Sequence, residues 1–317
     1  MGEPADTSPW SQLVLAMQAL GLRAEFVDPD GPVVAETTPG LLGLVAWAHP
    51  DRGDVCVVET LVPSVPAARQ RAVRDFVLRA NHHLTAGTID FDVDERRLNY
   101  RVGLHRVGTS DPVLVAVTIK ECLKGMHRVL DPLLEVVEGT HATEAADDVY
   151  VPRGEPREGW IRDVAVLAEA MRALDLDVDV LEDNGMCQAI LNTPDGIPAL
   201  GCLAWVEPEH AQLCVTTMLP QGIPYHQLDQ VAEFVLRVNH RFSTGAFDLD
   251  LDDGGLRHRV GLIYRPGGLT TDLAAVVVRQ ALERMKAAID PLTMVFEGQP
   301  AKAAAETYDP FGDVDVN

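Results

Sequence analysis

Apolar positions in the first hundred residues alternate between two periods, and each period marks an element. Leu13, Ala16, Met17 and Leu20 recur at helical spacing, and Gly21 follows where a left-handed residue often closes a helix. Arg23 to Val27, Leu41 to Ala48 and Asp54 to Leu61 are rich in β-formers and bounded by Pro, Gly or Asp, which predicts three strands. From Pro66 to Leu84 the residues Val73, Phe76, Val77, Ala80 and Leu84 form one helical stripe suited to covering a sheet. Ile89, Phe91 and Val93 then alternate with Asp90, Asp92 and Asp94. After a turn, Leu98, Tyr100, Val102 and Leu104 alternate again, as expected of a hairpin. A last helix is predicted from Val113 to Asp131, ended by Pro132.

The same pattern returns later in the chain. Phe76 to Leu104 aligns with Phe234 to Leu262 at a constant offset of 158, with 15 identities in 29 positions. Leu41 to Pro50 pairs with Ala199 to Pro208, which superposes Trp47 on Trp205, and Cys56 falls on Cys214. Near the end, Leu273 to Asp290 before Pro291 repeats the last helix. The expected architecture is therefore α+β: two tandem α-β-β-β-α-β-β-α domains, each an antiparallel sheet packed on helices. The expected boundaries are 7–140 for the first domain, 141–157 for a polar linker, 158–299 for the second domain and 300–317 for a mobile acidic tail.

The acidic hairpin strands raise the question of a metal. Counting from Asp90, a calcium loop needs Gly at position six and Glu at position twelve, but Glu95 and Arg101 stand there; from Asp248 the residues are Asp253 and Arg259. Strict alternation also requires an extended strand, which does not coil round an ion. A two-residue turn at Glu95-Arg96 instead sets Asp90 opposite Arg101, Phe91 opposite Tyr100 and Val93 opposite Leu98. A turn at Asp253-Gly254 sets Asp248 opposite Arg259 and Asp250 opposite Arg257. Asp90 with Arg101 and Asp248 with Arg259 are thus expected as structural ion pairs, each contributing about 0.2–1 kcal/mol. No metal is expected.

Composition narrows the function classes. Of 317 residues, 48 are acidic and 26 basic, a formal charge of −22, so the mean field repels nucleic acid and anionic lipid. Arg69, Arg71, Arg74 and Arg79 cluster at helical spacing, the pattern of a solvated face. Five cysteines without a C-x-x-C pair argue against a disulfide framework or a zinc ribbon and fit a reducing cytoplasm. No charged segment precedes an apolar run at the N-terminus and no apolar stretch reaches about 18 residues, so neither export nor a membrane partner is expected.

No nucleophile elbow, zinc-protease motif, P-loop or dinucleotide fingerprint is present, so no catalytic residue and no cofactor is expected. His82 and His83 stand at the predicted end of a helix, and only His82 recurs, as His240. Cys56 and Cys214 have no basic neighbour in sequence to lower a thiol pKa. Arg79, Asn81 and Arg101 recur as Arg237, Asn239 and Arg259; an Asn-closed helix end and the hairpin ion pair account for them without a ligand.

The string F-V-L-R-x-N, then G-x-[IF]-D-x-D-x-D, then L-x-x-R-V-G-L resembles the YbjN family, described as bacterial sensory-transduction regulators. That family looks like the type III secretion chaperones in fold. The resemblance implies small α+β domains that act in pairs and hold an unfolded segment of a polypeptide client. With both copies on one chain, an intramolecular pseudo-dimer is expected. Trp47 and Trp205 are the candidate peptide-binding contacts, although a Trp inside a strand is also a common core residue. The alternatives are a regulator acting through a protein partner without chaperoning, and an enzyme with an unrecognised site.

Overall fold

The computed structural model describes residues 9–27, 32–36, 44–49, 54–62, 64–85, 87–105, 112–150, 158–181, 185–191, 199–207, 211–265 and 267–309. In the first half α1 (Pro9–Ala19) leads to β1 (Arg23–Phe26), β2 (Val33–Glu36), β3 (Leu44–His49) and β4 (Asp54–Val62). A 3₁₀ turn then opens α2 (Gln70–His83), followed by β5 (Thr88–Asp92), β6 (Arg97–His105), α3 (Pro112–Glu138) and α4 (Ala142–Asp147). The second half repeats this order as α5 (Glu158–Arg172), β7 (Val178–Leu181), β8 (Met186–Leu191), β9 (Leu200–Glu207), β10 (Gln212–Met218), α6 (Leu228–Asn239), β11 (Ala246–Leu249), β12 (Leu256–Ile263), α7 (Thr271–Phe296) and α8 (Ala301–Thr307).

Each half builds one antiparallel six-stranded sheet, in the orders β1-β2-β3-β4-β6-β5 and β11-β12-β10-β9-β8-β7. The fold is α+β, and helices line one face of each sheet. On that face of the second sheet Cys187, Ala204, Val215 and Val260 stand side by side and are buried.

Three expectations need correction. Each half has a fourth strand in its first run, β2 or β8, so the order is α-β-β-β-β-α-β-β-α-α. β2 is short, and only Val33 and Ala35 point into the core. Two inward positions leave little periodic signal. Pro132 and Pro291 also fail to end their helices: both lie inside, and α3 and α7 continue past them. Losing one helical bond costs about 3 kcal/mol. That cost is offset by Leu133 and Val136, and by Leu292 and Val295, which are buried beyond the prolines.

The third correction concerns the linker and the tail. Residues 142–147 and 301–307 are not loose chain but matching short helices, α4 and α8, packed on α2 and α6. Ala142, Ala145, Ala146 and Val149 are buried in one copy; Ala301, Ala304, Ala305 and Tyr308 are buried in the other. Arg241 secures α8 by donating to the carbonyls of Ala305 (2.7 Å) and Tyr308 (3.0 Å).

Candidate functional site

The acidic hairpin strands are the most polar feature of each half, and the register gives each carboxylate a separate task. In the first hairpin Asp90 stands opposite Asn99 and Thr88 opposite Arg101; in the second Asp248 stands opposite Arg257 and Ala246 opposite Arg259. The expected register is therefore wrong by two residues. The cause lies in the turn. Asp92 Oδ1 accepts from the backbone N–H of Asp94 (3.0 Å) and Glu95 (2.9 Å), and Asp250 Oδ1 accepts from Asp252 (2.8 Å). These Asx turns widen the loop and place the left-handed residue at Arg96 (φ 58) in one copy and Gly254 (φ 76) in the other.

The expected ion pairs survive as diagonal ones. Arg101 Nε donates to Asp90 at 2.7 Å, and Arg259 Nε donates to Asp248 at 3.0 Å, with all four side chains buried. Asn81 and Asn239 do not simply close their helices. The Asn81 amide bonds both the N–H and the C=O of Ile89 (2.8 and 2.9 Å), and Asn239 does the same to Phe247 (2.7 and 2.8 Å). Each asparagine thus acts as a local substitute for a neighbouring strand.

The remaining charges join one copy to the other. Arg79 on α2 forks onto Asp252 (2.7 and 2.8 Å), and its repeat Arg237 on α6 forks onto Asp94 (3.0 and 3.1 Å). These bonds hold the Asp252 and Asp94 carboxyls below the ordinary range and raise both guanidinium pKa values. Arg101 also donates to the carbonyls of Asn239 (3.3 Å) and Gly245 (3.1 Å), while Arg259 donates to Thr85 (3.4 Å) and Gly87 (3.2 Å). Contact i-to-j is answered by j-to-i, the signature of a self-complementary interface. Gly103 lies on the same seam: a Cβ there would overlap the Thr244 side chain and the Ser243 carbonyl. The basic stripe on α2 is largely used up: Arg74 pairs with Asp229 at 2.7 Å, and Arg69 donates to the Glu138 carbonyl at 3.1 Å.

Only part of the second sheet's outer face is occupied by this seam. One row across the strands reads Asp179, Gln188, Leu203, Thr216, Arg259 and Ala246. The next reads Ile190, Gly201, Met218, Arg257 and Asp248. At one end of these rows Arg259 and Arg257 reach the first copy, Arg257 through the His82 carbonyl at 2.8 Å. At the other end Asp177, Asp179, Gln188, Ile190, Leu203 and Met218 line an open groove of about 540 Å³. Ile190 is 67% exposed there, and β7 is an edge of its sheet.

Residues 163–294 match the YbjN family model, described as "Putative bacterial sensory transduction regulator". That stretch is similar to YbjN domains. The groove falls inside it, as do Arg237, Asp252, Arg257 and Arg259 of the seam. No curated protein matches the chain. The solved structure of the di-domain ARO/CYC BexL from the BE-7585A biosynthetic pathway aligns over 90% of this chain and 87% of its own at 10% identity; its TM-score of 0.15 says nothing about the fold.

The proposed tryptophan contacts divide. In the second half Trp205 lies on the outer face between Met186 and Cys214, but it is only 8% exposed, so it offers little surface to a ligand. The Trp47 and Cys56 side chains lie outside the described residues; their backbones pair with each other in β3 and β4. The groove was not anticipated from sequence, and its one available signal was Ile190, an apolar residue on the polar side of a short strand.

The thiols and imidazoles have bland surroundings. Burial pushes Cys187 up to about 11 and Cys202 up to about 12, so neither is a thiolate near neutrality. Cys214 is buried within β10. His82 and His83 both have lowered pKa values, chiefly through burial, and they touch edge to face at 5.7 Å. His240 lies 3.6 Å from Asp92 of the other copy. Among the described residues no group of three His, Cys, Asp or Glu side chains is placed to hold a metal ion, and no helix is long and apolar enough to cross a membrane.

The copies differ in one buried cluster. His258 replaces Tyr100 of the first copy, and Arg284 stands where a one-residue gap aligns Gly125. A side chain at Gly125 would overlap the Tyr100 phenol. The smaller imidazole of His258 coexists with a long cation instead. Arg284 donates to the Thr244 carbonyl and lies 4.8 Å over the Phe242 ring.

Proposed function

We propose that this chain is a non-enzymatic adaptor, working in a reducing cytoplasm, whose paired YbjN-like copies hold an extended segment of a protein partner. The observation that carries this reading is the division of the second sheet's outer face. One end is sealed against the first copy through Arg257 and Arg259; the other is an apolar groove beside the edge strand β7. An edge strand next to an apolar floor suits strand addition, in which main-chain bonds give affinity and alternate side chains give selectivity. The first copy then serves to lock the second sheet, an intramolecular pseudo-dimer that leaves this groove open. Buried free thiols at Cys122, Cys187, Cys202 and Cys214 suit the reducing compartment.

The family description favours a second reading, a sensory-transduction regulator; a regulator acting without chaperoning is expected to meet its partner folded. Titrating a small protein in its native form and in a permanently unfolded form, followed by fluorescence anisotropy, separates the two. The adaptor reading expects binding of the unfolded form alone, weakened by Ile190→Ser. Binding of the native form alone supports the regulator, and binding of neither form overturns the adaptor.

A further inference from the structure

Resting on the peptide-holding reading, we infer that the groove selects a segment in which basic residues alternate with apolar ones, laid along β7. The comparison of the two copies carries this. β7 follows a left-handed residue, Asp175 (φ 58), as β1 follows Gly21 (φ 77), which aligns Asp177 with Arg23 and Asp179 with Glu25. The edge of the first sheet therefore carries one charge of each sign, and Arg23 stands opposite Glu36 in the sheet. The edge of the second carries two carboxylates on one side of the strand, both lining the groove, and among the described residues no basic one lines it.

The register places these carboxylates beside an apolar floor. Asp179 is cross-strand to Gln188 and then Leu203, while Ile190 and Met218 flank Gly201 in the adjoining row. In an antiparallel pair alternate N–H and C=O groups point away from the partner strand, and among the described residues no strand pairs with the outer side of β7, so it can receive another backbone. A strand docked there sends every second side chain toward the outer face, next to Asp177 and Asp179. Lysine or arginine at those positions meets a carboxylate and lays its aliphatic stem toward Ile190, while the intervening apolar residues turn to the opposite face, alongside the half-buried Val178 and Val180. Short, charged edges also guard against self-association. Two aspartates perform that service against this chain, whose net charge is −22, while admitting a basic segment.

The test uses two capped peptides of about ten residues, one alternating lysine with valine and one alternating glutamate with valine. Each is titrated against the full chain and against Ile190→Ser and Asp177→Asn/Asp179→Asn variants. Because these side chains lie on the open groove, unchanged circular dichroism is expected for every variant. The inference expects the lysine peptide to bind, roughly five- to ten-fold more weakly in the double aspartate variant at low salt. It also expects at least about ten-fold weakening in Ile190→Ser. Equal binding of both peptides, lost in Ile190→Ser, overturns the charge selection and leaves the peptide-holding reading standing. Lysine-peptide binding that neither variant changes places it elsewhere on the acidic surface and overturns the inference. Binding of neither peptide removes the inference and the reading beneath it together.

Discussion

Arg101→Met is the sharpest perturbation of the seam between the copies. The change preserves much of the aliphatic length but removes the guanidinium that binds Asp90 at 2.7 and 3.2 Å and the carbonyls of Asn239 and Gly245. Asp90 is then left as a buried carboxylate without this cation. Breaking one side of a buried pair costs about 3–5 kcal/mol. Replacing both partners by apolar residues is far milder, because no uncompensated charge remains, although buried carbonyls that lose a donor still cost about 1–3 kcal/mol. The single variant should therefore unfold at distinctly lower urea concentration than the wild type. The double variant Arg101→Met/Asp90→Leu should recover about 1–3 kcal/mol of that loss. Urea denaturation of wild type, both single variants and the double variant closes the cycle. A single-variant loss under about 1 kcal/mol, or strictly additive effects, refutes the claim that a buried ion pair braces the seam.

Two further outcomes follow from the second copy. Burial first, then the cations Arg284, Arg259 and Arg101, depress the His258 pKa, while the Ala281 carbonyl opposes them. The imidazole also packs against Phe242 and Phe247, at 5.5 and 4.9 Å. The unfolded chain thus binds more protons at this position below about pH 6.5, and stability should fall toward acid at up to about 1.4 kcal/mol per pH unit relative to a His258→Phe variant. Parallel acid dependence in wild type and variant rejects that assignment. Ending the chain after Gln299 removes the buried Tyr308 and the two acceptors of Arg241, and should cost about 3–5 kcal/mol in thermal or urea unfolding. An unchanged melt restores the mobile tail.

The sequence pattern was most legible where a side-chain period ran long. The stripe from Val73 to Leu84 and the alternation from Ile89 to Leu104 announced α2 and the hairpin, and the repeat announced a second set. What escaped had local or long-range causes. β2 has too few inward residues to show a period. α4 and α8 are Ala-rich turns whose stability comes from docking on α2 and α6, so nothing in their own composition marks them as ordered. The register of the hairpins depended on Asp92 and Asp250 capping the turn, which the alternation alone does not reveal. Arg79 and Arg101 recurred visibly as Arg237 and Arg259, but their partners across the seam lie more than a hundred residues away, and only the fold brings them together. The groove escaped because it is defined by what the seam leaves uncovered.

Hydrogen–deuterium exchange of the full chain, with and without the lysine–valine peptide, tests the central claim most directly. The account predicts added protection in residues 177–181 along β7, with lesser effects across 186–191 and 200–203, and no change at the seam strands β11 and β12. Protection confined to other segments, with 177–181 exchanging as in the free protein, would contradict it.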